Sequence, residues 1–104
     1  MDLMHLKEVF RTASLEAVAL RLLDLSEPSL VTIVENGRVG LRRANRFRAP
    51  RELLEVERQV LRDVHAHSRP YWARGGGWQA WGWPDHQVDW KREVLRSVPD
   101  EEVM

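Results

Sequence analysis

The chain has 104 residues, 43% of them hydrophobic and 31% charged, and its 16 basic residues balance 16 acidic ones. That length suits one domain with a modest core, and the zero net charge argues against bulk electrostatic attachment to nucleic acid or an anionic membrane. The lack of cysteine excludes disulfides and thiolate metal sites, and no apolar run approaches the ~18–20 residues of a membrane span.

Leu3, Leu6 and Phe10 recur at helical spacing, which predicts a short helix over 3–11. His5 and Lys7 interrupt this stretch, so it does not read as a signal peptide, and a cytoplasmic protein is expected. Ser14 suits an N-cap, because its hydroxyl accepts from a free amide of the next turn. The helix behind it, roughly 15–25, places Leu15, Val18, Ala19, Leu22 and Leu25 on one stripe. Pro28 cannot continue the backbone ladder, so the helix ends at Ser26-Glu27-Pro28.

Leu30 to Val34 is short and β-branched, as in a strand. Asn36-Gly37 is a two-residue hairpin signal, since both residues accept positive φ. The return strand, Arg38 to Arg43, is expected to turn Val39 and Leu41 to one face and Arg38, Gly40 and Arg42 to the other. Pro50 then opens a helix over about 50–66 from its favoured first-turn position. Leu53, Val56, Val60 and Val64 line its inner face, Leu54 and Leu61 widen that face, and Glu55 and Arg58 pair on the outside.

Beyond Pro70 the character changes. Tyr71, Trp72, Trp78, Trp81, Trp83 and Trp90 crowd around Gly75-Gly76-Gly77. Trp78 to Trp83 reads as a strand with Trp81 and Trp83 on one face. Pro84-Asp85 reads as a turn. Val88, Trp90, Val94 and Val98 favour a last strand, with a helix over 88–95 as the alternative. The glycine run could form a mobile flap beside the aromatics, but it lacks the strand-to-helix setting of a phosphate loop.

These elements add up to an α+β fold. Two N-terminal helices (the unit 1–26) precede a sheet-plus-helix body at 29–99, and an acidic tail at 100–104 closes the chain. The body is an antiparallel sheet of three to five strands with the helix near 50–66 packed on it. The sheet is expected to bury Leu30, Ile33, Val39, Leu41, Trp81 and Val94 against Leu53, Val56 and Val60.

The phrase Ser14-Leu-Glu-Ala-Val-Ala-Leu-Arg-Leu22, followed by a strand-turn-strand with a glycine-centred turn from Thr32 to Leu41, resembles the region behind the zinc peptidase core in ImmA/IrrE-type metallopeptidases. Gly82-Trp-Pro84 and Trp90-Lys-Arg-Glu-Val-Leu95 are similar to the end of such proteins. The resemblance implies a helix-turn-helix-like unit leading into a sensor-like region, in a class that acts in repressor cleavage and in stress or mobile-element control. The peptidase itself needs a His-Glu-x-x-His helix. The histidines here are His5, His65, His67 and His86, and no pair has that spacing around a glutamate. No catalytic residue carries over, and the resemblance implies neither metal nor cofactor for this chain.

His65 and His67 could share a metal, but a two-residue helical step points their rings about 200° apart. Surface histidines at a helix end, favoured by the dipole there, are the plainer reading. Asp85, His86 and Asp89 have no nucleophile in a recognisable setting, and Glu8 and Glu93 sit in ordinary surface patterns. Enzymatic activity is not expected.

The tryptophans admit three readings: core, a protein interface in which Trp and Arg are the usual anchors, or a stacking platform for planar ligands. Between Arg38 and Arg51 lie six arginines and no acid, so this stretch is either a solvated strand face matched by acids elsewhere or a nucleic-acid contact. Two functions follow. The leading one is a non-catalytic regulatory module that binds a partner protein or small ligand through Trp72, Arg74, Trp78, Trp81 and Arg42. The alternative is a small nucleic-acid-binding regulator using Arg38, Arg42, Arg43, Arg46 and Arg48. A homodimer would complete a core this small.

Overall fold

The computed structural model describes residues 17, 20–25 and 27–100. The expected helix over 3–11, most of the one over 15–25 and the tail beyond Asp100 lie outside the described residues. The two expected N-terminal helices are not found among the described residues; what these show before β1 is a 3-10 turn, Leu22–Asp24.

Two hairpin-forming turns organise the sheet. Asn36 and Gly37 both take positive φ, 48° and 82°, and join β1 (Leu30–Glu35) to β2 (Arg38–Ala44). Gly76 and Gly77 do the same at 64° and 86°, and join β3 (Tyr71–Gly75) to β4 (Trp78–Gln87). Consecutive positive φ values match the right-handed twist of the strands they connect. The glycine run thus forms the β3–β4 hairpin turn.

β5 (Trp90–Pro99) returns antiparallel beside β4 and on its other side pairs antiparallel with β1, giving five strands in the order β2-β1-β5-β4-β3. The fold is thus α+β, with a five-stranded antiparallel sheet and, among the described residues, one α-helix in the body: α1, Glu55–His67. No helix among these residues is long and apolar enough to cross a membrane.

Three boundaries differ from expectation. β4 runs straight through Pro84 and Asp85, and the chain turns at Val88 and Asp89. β3 pairs with β4 only as far as Gly82, so Pro84 sits where β4 has a single neighbour and its missing N–H costs little. The helix begins at Glu55 rather than Pro50. The Pro50 and Glu52 carbonyls instead accept from the Arg42 guanidinium, at 2.7 and 3.0 Å, and Glu57 turns back to accept from the Leu54 N–H at 2.8 Å, satisfying one of the amides a helix start leaves open.

The third difference is a bulge. The β1–β2 register shifts between Ile33 and Val34, so Leu41 pairs with Ile33 while Val39 pairs with the adjacent Val34. Neighbouring strand residues point to opposite faces, so Val39 and Leu41 do not share a face, and Val39 is 49% exposed instead of buried. The extra residue is Gly40. The same shift sets Arg38, opposite Glu35, against Arg42, opposite Thr32, and so separates two arginines expected on one side.

The two faces of the sheet carry separate cores. On the helix side, Val56, Val60 and Val64 meet Ala73, Ala80 and Leu95, with Tyr71 and Trp78 at the margin. A Cβ at Gly82 would lie 2.6 Å from Val60 and 2.8 Å from Val64, so glycine is what lets the helix seat this closely. On the other face, Leu22 packs with Val31, Ile33, Trp83 and Val94, and Leu41 and Trp81 flank them. Ile33, Leu41, Trp81 and Val94 therefore pack away from the helix rather than against it. Each fully buried side chain of this size stabilises the fold by about 1.5–3 kcal/mol before entropy is subtracted.

Candidate binding surface and histidine–carboxylate cluster

The outer face, opposite α1, carries two of the three tryptophans that were candidates for binding, Trp72 and Trp81. Trp72 on β3 lies directly across from Trp81 on β4, and Trp81 across from Arg96 on β5. The three side chains form a row across adjacent strands. Trp72 is 47% exposed. The Arg96 guanidinium stands 5.6 Å from the Trp81 ring, a cation–π distance, and is held there by the Ser29 hydroxyl at 3.1 Å and the Glu27 carboxylate at 3.2 Å.

Trp81 separates two grooves. One, of about 410 Å³, runs between Glu27, Gln79, Pro99 and Asp100. The other, of about 190 Å³, is walled by Pro70, Trp72 and Trp83. Arg74, also on this face of β3, forms an ion pair with the buried carboxylate of Asp100, whose backbone N–H donates to the Gly77 carbonyl at 2.8 Å. The expected acidic tail therefore begins with a carboxylate pinned to the sheet.

The remaining candidates lie elsewhere. Trp78 is on the helix side, edge-on to Phe47 with ring centroids 5.4 Å apart. Arg42 is also on the helix side, where its guanidinium meets the fully buried Glu57 carboxylate and the Thr32 hydroxyl. Glu57 in turn accepts from the Ser97 hydroxyl at 3.0 Å. Trp72, Trp81 and Arg74 are thus brought together, while Trp78 and Arg42 are not with them. Of the arginines proposed for nucleic acid, Arg38, Arg43, Arg46 and Arg48 are exposed and Arg42 is spent on Glu57.

A second constellation was not legible in the sequence. At the end of α1 farther from Pro50, His65 faces the sheet, where it meets His86 of β4 and Glu93 of β5. One ligand atom from each lies within 4.8 Å of the other two. His65 Nδ1 is 3.4 Å from Glu93 Oε2, and His86 Nε2 is in hydrogen-bond contact with that same oxygen. The Ser68 hydroxyl is 2.6 Å from His86 Nδ1 and fixes that ring. Glu93 is fully buried rather than a surface residue, and its other oxygen, Oε1, has no hydrogen-bond partner. His67, two residues along the helix, is not among the three. The signal available in the sequence was the β5 alternation, which puts Glu93 on the inward side with Leu95 and Ser97.

Comparison with protein-family models, with curated proteins and with solved structures finds no match for this chain.

Proposed function

We propose that this chain is a non-catalytic regulatory module that binds a partner protein through the Trp72–Trp81 face, similar in role to the C-terminal region of ImmA/IrrE proteins. The observation that carries the reading is Trp72: a large indole, half in solvent, that lies across from Trp81 and walls one of the two grooves beside it. Indoles flanked by an anchored arginine are the usual energetic centres of protein interfaces. β3 is also an edge strand, so a partner segment can lie along it while contacting Trp72.

A second reading, a small nucleic-acid-binding regulator, is favoured by one observation. The bulge at Gly40 sets Arg38 and Arg43 on the same side of β2, next to exposed Arg46 and Arg48. One experiment separates the two. The wild-type chain, Trp72→Ala and the triple variant Arg43→Glu, Arg46→Glu, Arg48→Glu serve as baits for proteins encoded beside its gene and for mixed oligonucleotides. Protein binding lost only in Trp72→Ala supports the first reading. Salt-sensitive oligonucleotide binding lost only in the triple variant overturns it in favour of the second.

A further inference from the structure

We infer that His65, His86 and Glu93 form a binding site for one divalent transition-metal ion, with Zn²⁺ the best chemical fit. The inference is independent of the partner-binding reading and concerns the opposite face of the sheet.

The donor set is two imidazoles and one carboxylate, which suits zinc and related borderline ions and leaves a coordination position for solvent. Donors about 2.0–2.2 Å from a tetrahedral ion stand roughly 3.4 Å apart. His65 Nδ1 and Glu93 Oε2 already stand 3.4 Å apart, and all three donor atoms fall within 4.8 Å. His86 Nε2 and Glu93 Oε2 stand closer than that, so an ion entering between them replaces their hydrogen bond and moves the imidazole away from the carboxylate.

The carboxylate supplies an independent reason. Glu93 is fully buried, and Oε1 has no partner. A buried carboxylate without compensation is costly. A proton on either histidine would serve Oε2 alone, because both rings are directed at that oxygen. A divalent ion on Oε2 compensates the buried charge, and a water on its remaining position can donate to Oε1.

The surroundings are those of a supported site. When His86 ligates through Nε2, its Nδ1–H donates to the Ser68 hydroxyl, the outer-shell contact that orients a ligating imidazole. Ser68 reaches this position because it caps α1 in the left-handed conformation, with φ of 51°. An open groove of about 500 Å³ beside Leu61, His65 and Glu93 admits the ion from solvent. Bound there, it ties the last turn of the helix to the β4–β5 hairpin.

The test is calorimetric titration of the full chain, stripped with chelator, using Zn²⁺ alone, with Co²⁺ absorbance as a second readout. We expect one equivalent to bind, thermal stability to rise, and Co²⁺ to show the intense visible band of a low-coordinate site. Ser68→Ala weakens binding about 10–100-fold, while His65→Ala and Glu93→Gln weaken it further and abolish the band. His67→Ala has no effect. His65 is half-exposed, so its substitution leaves the fold intact. Absence of saturable one-equivalent binding, or full affinity in both His65→Ala and Glu93→Gln, overturns the assignment.

Discussion

Arg42 and Glu57 meet as two parallel hydrogen bonds, Nη1 to Oε2 at 3.0 Å and Nη2 to Oε1 at 2.9 Å, with the glutamate fully buried and the arginine side chain 8% exposed. Planar guanidinium matches carboxylate in this way, and lysine does not. The pair bridges β2 to the first turn of α1 and fixes where the helix begins. Removing one partner leaves the other charge buried and alone. Arg42→Ala is therefore expected to destabilise the protein by about 3–5 kcal/mol, measured by urea unfolding, and Arg42→Lys to recover only part of that. Unchanged stability in Arg42→Ala would show the pair to be dispensable.

Gly82 governs the seating of the helix. Its missing side chain faces Val60, Val64 and Leu95, all within 3.1 Å of where a Cβ would stand. Gly82→Ala should cost about 1–3 kcal/mol by overpacking. Val60→Ala in the same chain should return part of that loss, because the two sites share one contact. Thermal unfolding of the four variants of this cycle checks it; strict additivity would contradict the contact.

Asn45 ties the segment before β1 to the end of β2. Its side-chain oxygen accepts from the Ser29 N–H at 2.8 Å, and its amide nitrogen reaches the carbonyls of Leu23, Leu25 and Glu27 at 3.0–3.2 Å. The bonds to Leu25 and Glu27 are open to solvent, so the loss falls mainly on the part-buried Ser29 N–H and Leu23 carbonyl. Asn45→Ala is expected to cost about 1–3 kcal/mol and to speed amide exchange at Ser29 in native-state hydrogen exchange.

Two tryptophans on the same face should behave oppositely. Trp83 is 5% exposed within the outer core, and Trp72 is 47% exposed. Trp83→Ala should cost about 3–5 kcal/mol. Trp72→Ala should cost about 1 kcal/mol or less, as befits a substitution outside the core. Chemical denaturation distinguishes them, and equal losses would mean that Trp72 is structural.

The parts of the fold written in local chemistry were legible. Asn36-Gly37 specified its hairpin, and the period of Val56, Val60 and Val64 specified the inner face of the helix. The parts decided by tertiary contact were not. Nothing near Gly40 announces a bulge, yet that one extra residue moved Val39 out of the core and set Arg38 against Arg42. Pro50 looked like a helix start, but its carbonyl was taken by Arg42. Pro84 looked like a turn, and the strand runs through it because β3 has already ended. β3 itself, short and interrupted by Arg74, has no strong periodic signal.

The candidate sites divide in the same way. The exposed tryptophan was anticipated from the density of indoles along residues 71–90, although Trp78 proved to face the helix. The His65–His86–Glu93 cluster joins three elements separated by 21 and 7 positions in the chain. Only the sheet register and the helix placement bring them together, so no spacing rule could have found it.

Amide hydrogen exchange on the chain, alone and with any protein that the wild-type bait retains, tests the central claim most directly. New protection is expected along Tyr71–Gly75 and around Trp81, with α1 unchanged. Protection confined to Arg38–Arg48, or none along β3, would contradict it.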